Sequence, residues 1–144
     1  MARELEEEEL IRLARRDLFP PTEEELEKPS LLHGKAAAVL LPELFGERRE
    51  HVIEAVRWHT YGHPEMGTLG KMLYIADFVE PGRKHVDEQY YDRIMAKNDL
   101  DEMVVTILED EFELLRRKGR RIVKSSLLLY DALTKSRVGA RHSG

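Results

Sequence analysis

Apolar residues recur along this chain at the three-, four- and seven-residue spacings of an α-helix, and no stretch alternates with period two. Proline and glycine interrupt the periodic stretches at Pro20-Pro21, Pro29, Pro42, Gly46, Pro81-Gly82 and Gly119. The pattern therefore predicts an all-α bundle of about six to seven helices. We expect one domain over residues 1–136 and a disordered tail over 137–144.

The predicted helices span residues 4–16, 31–41, 48–58, 66–79, 87–97, 100–118 and 125–133. Thr22 and Glu25 fit a capping box that opens a brief helical turn before Pro29. Ser30 is the expected N-cap of the second long helix, and Gly119 is the expected C-cap of the sixth.

The composition limits the partners that this chain can bind. No cysteine is present, so any metal must be held by histidine and carboxylate ligands. A net charge of −5 disfavours nucleic-acid binding through a basic surface, although a metal can supply local positive charge for a phosphorylated ligand. No apolar stretch could span a bilayer, and no secretory leader opens the sequence. We therefore expect a cytoplasmic domain that binds neither nucleic acid nor membrane.

Two histidines and an aspartate lie on apolar faces of three predicted helices. His33, His59 and Asp77 each follow or precede apolar residues at helical spacings. Burying such groups is unfavourable without a partner, and a divalent metal suits two imidazoles and a carboxylate. The alternatives are helix-capping histidines, an aspartate paired with an arginine, or a buried hydrogen-bond cluster. Helical spacing by itself does not show whether the three side chains converge.

Two further segments carry polar side chains that could act on a ligand. Glu80, Gly82, Arg83 and Lys84 follow the helix of Asp77, so the two cations could contact a phosphate or simply lie at a helix C-terminus. His63 stands in a polar loop and is expected to be exposed to solvent. Aromatic residues that could stack on a base are expected to pack in the core instead; they are Trp58, Tyr90 and Tyr91.

Three motifs together resemble one known family. They are Leu31-Leu32-His33-Gly34, His59-Thr60-Tyr61-Gly62, and Ala76-Asp77 followed by Glu80-Pro81-Gly82-Arg83. Their order and spacing resemble the YqeK-type HD-domain proteins, which comprise bacterial symmetrical diadenosine tetraphosphate (Ap4A) hydrolases. The resemblance covers nearly the whole chain, through the last predicted helix.

The resemblance implies an all-α HD fold with a divalent metal centre, usually iron, with manganese or zinc as alternatives. It implies symmetrical cleavage of Ap4A, a dinucleoside polyphosphate, into two ADP. By motif match, the implied metal ligands are His33, His59 and Asp77. Thr60, Gly62, Glu80, Arg83 and Lys84 would bind the substrate. Arg83 would also offset charge during the reaction, and His63 would be the proton donor.

The chain departs from the family pattern at its start. Family members carry an earlier ligand histidine and then the His-Asp pair that names the fold, but this sequence has no His-Asp dipeptide. About half of the implied ligand set is therefore missing. We expect a truncated or misassigned start rather than a shortened homologue, and uncovered apolar surface would favour a homodimer. The alternative function is a non-catalytic nucleotide-binding, metal-binding or regulatory helical module.

Overall fold

The computed structural model describes residues 2–80, 82–83 and 86–142, and within these ranges the chain forms helices and no strands. One 3₁₀ turn (Pro29–Leu32) stands between the second and third α-helices. The α-helices are α1 (Ala2–Ala14), α2 (Glu23–Glu27), α3 (His33–Phe45), α4 (Glu50–Trp58), α5 (Thr68–Phe78), α6 (Glu88–Met95), α7 (Leu100–Arg117) and α8 (Lys124–His142). The all-α prediction is confirmed. No helix in the described ranges is both long enough and apolar enough to cross a bilayer.

The capping box at the start of α2 is confirmed. The Thr22 hydroxyl accepts a hydrogen bond from the Glu25 amide at 3.2 Å. In return, the Glu25 carboxylate accepts one from the Thr22 amide at 2.9 Å. The two amides would otherwise be unpaired at the start of the helix, so the Thr22 and Glu25 side chains stabilise this short helix. The predicted stop at Gly119 is also observed. Helix α7 ends at Arg117, and Gly119 has a φ of 65°, a left-handed backbone conformation that favours glycine.

Three predicted helix boundaries differ from the structure. Ser30 lies inside the 3₁₀ turn, so it does not cap α3, which begins at His33. Pro42 lies within α3 rather than ending it, since a proline near the final turn removes only one backbone hydrogen bond before the helix ends at Gly46. Helix α8 continues to His142, so the described part of residues 137–142 is helical. Ser143 and Gly144 lie outside the described residues.

The hydrophobic core lies mainly between α5, α7 and α8. Helices in contact include α1 with α3, α3 with α4, α4 with α5, α5 with α7, and α7 with α8. The large side chains that are almost completely buried include Tyr74, Ile94, Ile107, Leu108 and Leu129. Each such aliphatic side chain contributes about 1.5–3 kcal/mol through burial.

Helices α3 and α4 approach each other closely where each carries or adjoins a candidate histidine. A Cβ added to Gly34 would lie 2.3 Å from the carbonyl oxygen of Arg57. Gly34 directly follows His33, and Arg57 precedes His59 by two residues. Small residues farther along α3, Ala36 and Ala38, are also buried. The sequence therefore allows the backbones at the two histidines to lie close together.

Replacing Gly34 with alanine should destabilise the protein, because the added methyl group would overlap the Arg57 carbonyl and force the helices apart. We expect a loss of at least about 1–3 kcal/mol in the free energy of unfolding, measured with urea. Gly82→Ala is the matched control, since a Cβ there meets no atom within 4 Å. Equal stability of the two variants would contradict the proposed close packing.

Candidate functional site

His59 is held at the end of α4 in one orientation. Its Nδ1 lies 2.5 Å from the carbonyl oxygen of Val56, one turn earlier. A carbonyl only accepts hydrogen bonds, so Nδ1 must carry the proton and donate it. The lone pair of Nε2 is then free, as in histidines that bind a metal while the other nitrogen donates to a carbonyl. His59 is half-buried, and Nε2 is the nitrogen of its neutral ring that can bind a ligand.

His33 is exposed, contrary to the burial that its apolar neighbours predicted. It is the first residue of α3, directly after the 3₁₀ turn. The residues on either side of it, Leu32 and Gly34, are buried instead. The imidazole of His33 therefore lies on the surface, because the residues on either side of it make the apolar contacts of this turn.

Asp77 is paired with an arginine, which is one of the alternatives that the sequence left open. Its Oδ1 accepts a hydrogen bond from Arg83 Nη2 at 2.9 Å, and its side chain is 36% exposed rather than fully buried. A turn brings the arginine back, since the Arg83 amide donates to the Glu80 carbonyl at 3.1 Å. The Glu80 carboxylate lies 3.8 Å from Arg83 Nε. Lys84 and Pro81 of the same turn lie outside the described residues.

The three candidate ligands do not form a complete metal site in the described part of the chain. No group of three histidine, aspartate or glutamate side chains there is arranged to hold a metal ion. The donor chemistry nevertheless fits, because two imidazoles and a carboxylate suit iron, manganese and zinc. The bare Nε2 of His59 supports that fit.

The turn after His59 contains two further residues of the predicted site. Thr60 is exposed, and Gly62 is buried. Gly62 has a φ of 81°, and a Cβ there would lie 2.5 Å from Leu129 Cδ2. Glycine is therefore required here both by the backbone conformation and by the packing against α8.

His63 is partly buried, which corrects the prediction that it is exposed. Its ring stacks on Trp58 with centroids 3.9 Å apart, and Phe19 meets both rings edge-on. Nδ1 accepts a hydrogen bond from the Glu65 amide at 3.1 Å, so the neutral ring carries its proton on Nε2. Burial lowers the pKa of His63, and nearby Lys35 adds to that effect.

His63 lines a cavity of about 680 Å³. Its wall is aromatic, formed by Phe19, Trp58 and Tyr61, and its polar lining includes Glu25 and Lys35. None of His33, His59, Asp77 and Arg83 lines this cavity. His63 therefore lines a cavity that these four residues of the predicted site do not line.

A buried ion pair that the sequence analysis missed lies between the two histidine-bearing segments. Lys35 Nζ donates to Glu25 Oε1 at 2.6 Å and to the Pro20 carbonyl at 3.0 Å. The other carboxylate oxygen of Glu25 accepts a hydrogen bond from the Tyr61 hydroxyl. Glu25 is only 2% exposed and Lys35 only 3%. Every oxygen of this buried carboxylate is therefore satisfied, as a buried charge requires.

The pKa values within this network follow from burial and hydrogen bonding. Burial raises the pKa of Glu25, but the hydrogen bonds from Lys35, Tyr61 and the Thr22 amide together hold it below its usual value. Burial and the adjacent Glu25 carboxylate raise the pKa of Tyr61, so its hydroxyl stays protonated and donates. The network is thus an ionised carboxylate between one cation and one hydroxyl donor.

A second buried ion pair fixes the chain after α1 against α4. Arg57 Nε and Nη2 each donate to Asp17 at 2.8 Å, which is the two-bond geometry that favours arginine over lysine. The guanidinium also lies 4.9 Å from the Phe19 ring centre. Lys35 and Arg57 could have been suspected from the sequence, since each charge interrupts an apolar stretch, but their partners are distant along the chain.

Comparisons with known proteins agree on one class. Symmetrical bis(5'-nucleosyl)-tetraphosphatase from Bacillus subtilis (strain 168) is 32% identical over 107 residues, covering 73% of this chain and 56% of that protein. The protein of the same name from Halalkalibacterium halodurans is 33% identical over 103 residues, covering 72% and 54%. This chain therefore spans about half the length of these curated relatives. No protein-family model matches the chain.

A solved structure shows the same fold. The crystal structure of a predicted HD superfamily hydrolase involved in NAD metabolism from Clostridium acetobutylicum superposes with a TM-score of 0.80 and 27% identity. The match covers 94% of this chain and 71% of that one. The helical bundle with candidate histidines at the ends of successive helices is thus an HD-type hydrolase fold. The chain belongs to the YqeK-type HD-domain family.

Acid should destabilise this protein partly through Glu25. Because the folded-state pKa of Glu25 is lowered, its contribution is fully present above the ordinary value of 4.5 and is lost as pH falls through the lower folded value. We expect Glu25→Gln to be less stable at pH 7 and to lose less stability than the wild type below pH 4.5, measured by urea unfolding. Glu111→Gln is a control of opposite sign, because burial raises the pKa of Glu111.

Protonation of His63 should be visible in the fluorescence of Trp58, the single tryptophan of the chain. A histidinium stacked on an indole quenches its emission, so we expect quenching with a midpoint below 6.5, the ordinary pKa, because burial lowers the pKa of His63. His63→Gln should abolish the transition, and His59→Gln should retain it. A wild-type midpoint at or above 6.5 would show that the ring is solvated.

Proposed function

We propose that this chain carries part of the active site of a metal-dependent hydrolase that cleaves Ap4A symmetrically into two ADP. Two relatives named symmetrical bis(5'-nucleosyl)-tetraphosphatase support this proposal, and so does the HD-type hydrolase fold. The observation that carries it is the orientation of His59. Its Nδ1 is committed to the Val56 carbonyl, which leaves Nε2 as a metal-binding atom.

The proposed ligands on this chain are His33, His59 and Asp77, with iron as the first candidate and manganese or zinc as alternatives. A bound divalent metal would supply Lewis-acid stabilisation of phosphoryl oxygens and would lower the pKa of water. Asp77 could bind it through Oδ2 while Oδ1 accepts from Arg83 Nη2 at 2.9 Å, because a carboxylate has two acceptor oxygens. These three residues are about half of the ligand set that the family resemblance implies, so further ligands must complete the site.

The remaining roles belong to side chains around the two turns. Arg83 would bind the polyphosphate through its planar guanidinium and offset the charge that develops on it. His63 would present its Nε2 proton to the leaving nucleotide, since Nδ1 accepts from the Glu65 amide. The other residues proposed to shape the substrate site are Thr60, Gly62, Glu80 and Lys84.

A second candidate function is a non-catalytic nucleotide-binding, metal-binding or regulatory module. Two observations favour it: no described group of three side chains is arranged to hold a metal, and Asp77 is engaged by Arg83. An incomplete ligand set binds metal weakly and leaves coordination positions open. A chain of this kind could bind a dinucleotide without turning it over.

Self-association of the chain remains a prediction. Several large apolar side chains are exposed, including Leu18, Leu44, Phe45 and Met72. Exposed apolar side chains favour association when they lie in one patch. Light scattering across a concentration series would distinguish a homodimer from a monomer.

Hydrolysis of Ap4A with added Fe²⁺ or Mn²⁺ tests the proposal directly, with ADP quantified as the product. His59→Ala should reduce turnover by more than the roughly 100-fold that loss of a residue supporting a metal ligand causes. His51→Ala is the matched control, because this histidine is an exposed residue of α4, the helix that His59 directly follows.

The outcomes separate the two candidate functions. Turnover that depends on His59 supports the hydrolase. Metal binding that depends on His59 without turnover supports the non-catalytic module. Turnover that is unchanged in His59→Ala would overturn the proposal of a metal-dependent hydrolase. The absence of both metal binding and turnover would also overturn it.

A further inference from the structure

We propose that Glu25 is a positioning residue that sets the placement of His33 relative to His59. This inference deepens the proposed function, since it concerns the two histidines that would bind the metal. It rests on two contacts that Glu25 makes, one near each histidine. Glu25 contacts Lys35, which lies two residues after His33, and Tyr61, which lies two residues after His59. One buried carboxylate therefore joins the two segments that carry the candidate ligands.

The contact with Lys35 fixes the start of α3. Lys35 lies in the first turn of this helix, and its ammonium is held at 2.6 Å by Glu25 and at 3.0 Å by the Pro20 carbonyl. His33 is exposed, so little surrounding packing acts on its own side chain. Its placement follows from that of its helix, which this ion pair anchors.

The contact with Tyr61 fixes the turn after α4. The Tyr61 hydroxyl donates to Glu25, and the Tyr61 carbonyl accepts from Ser126 Oγ at 2.6 Å. Gly62 closes the turn, with its amide donating to the Trp58 carbonyl at 2.9 Å. The turn is thus held from both sides, by α2 through Glu25 and by α8 through Ser126.

Glu25 is itself held rigidly. It is the N3 residue of the α2 capping box, where its backbone amide and its carboxylate are both bonded to Thr22. A residue fixed at its own backbone, with both carboxylate oxygens engaged, transmits position between its two partners. The close approach of Gly34 to Arg57 constrains the same two segments, so the hydrogen bonds and the helix packing act together.

The test measures the distance between the two segments directly and needs no metal. The chain has no cysteine, so single cysteines introduced at the exposed positions Ser30 and Thr60 can carry nitroxide labels for EPR distance measurement. We expect a narrow distance distribution in the labelled parent and a broadened one in Glu25→Ala. Glu25→Gln should keep the narrow distribution, because an amide can still accept from Lys35 and donate to the Tyr61 oxygen.

Two further variants separate positioning from general stability. Phe112→Leu should lower the melting temperature but leave the distance distribution narrow, because Phe112 belongs to the core between α5, α7 and α8. Tyr61→Phe removes only one arm of the network and retains the ion pair, so it serves if Glu25→Ala does not fold. We expect it to broaden the distribution less than Glu25→Ala does.

Zinc titration of the same variants connects the inference to the proposed function. Glu25→Ala should weaken binding about 10–100-fold, as loss of a residue that orients metal ligands does, and Glu25→Gln should weaken it much less. A narrow distance distribution in Glu25→Ala or in Tyr61→Phe would overturn the positioning role of Glu25. A distribution in Phe112→Leu that is as broad as in those two variants would also overturn it. Zinc binding unaffected by His33→Ala and His59→Ala would instead overturn the metal proposal and leave the distance result standing.

Discussion

The carboxylate of Glu25 is the interaction on which the arrangement of the candidate site depends. It is buried, ionised and shared between Lys35 on α3 and Tyr61 in the turn after α4. Taking a charge out of water is unfavourable by several kcal/mol, so the arrangement persists only because every oxygen is satisfied. A contact of this kind tolerates little displacement, since losing either partner leaves an unpaired buried group.

Packing and buried charge act together on α3 and α4. The Ala-rich face of α3 and Gly34 allow the two backbones to approach, while Asp17 holds Arg57 through two hydrogen bonds. By contrast, Asp77 on α5 pairs with Arg83 of a surface turn, and both side chains are partly exposed. The segments that carry the two candidate histidines are therefore held by buried contacts, whereas the candidate aspartate is held by a partly exposed ion pair.

Local sequence features predicted the helices and some of their ends. The capping box at Thr22 and Glu25 and the left-handed Gly119 involve residues close together in the chain, so their physics is readable from spacing. The prediction that His33 is buried was wrong. Helical periodicity identifies the apolar face of a helix, but it does not show how much of the first turn is exposed to solvent. His63 was misjudged for the opposite reason, since its partner Trp58 comes from the preceding helix through a turn that no periodic pattern describes.

The sequence by itself determined an all-helical chain that resembles the HD-type family, and it predicted the residues of the candidate site, because helical periodicity and short motifs are encoded within a few neighbouring residues. The tertiary structure decided what those residues contact. Asp77 meets Arg83, His59 is fixed by the Val56 carbonyl, and Glu25 joins the segments of the two histidines. Lys35 lies ten residues from Glu25 in the sequence, and Tyr61 lies thirty-six residues from it. Residues this far apart in the chain come into contact only when the helices pack together.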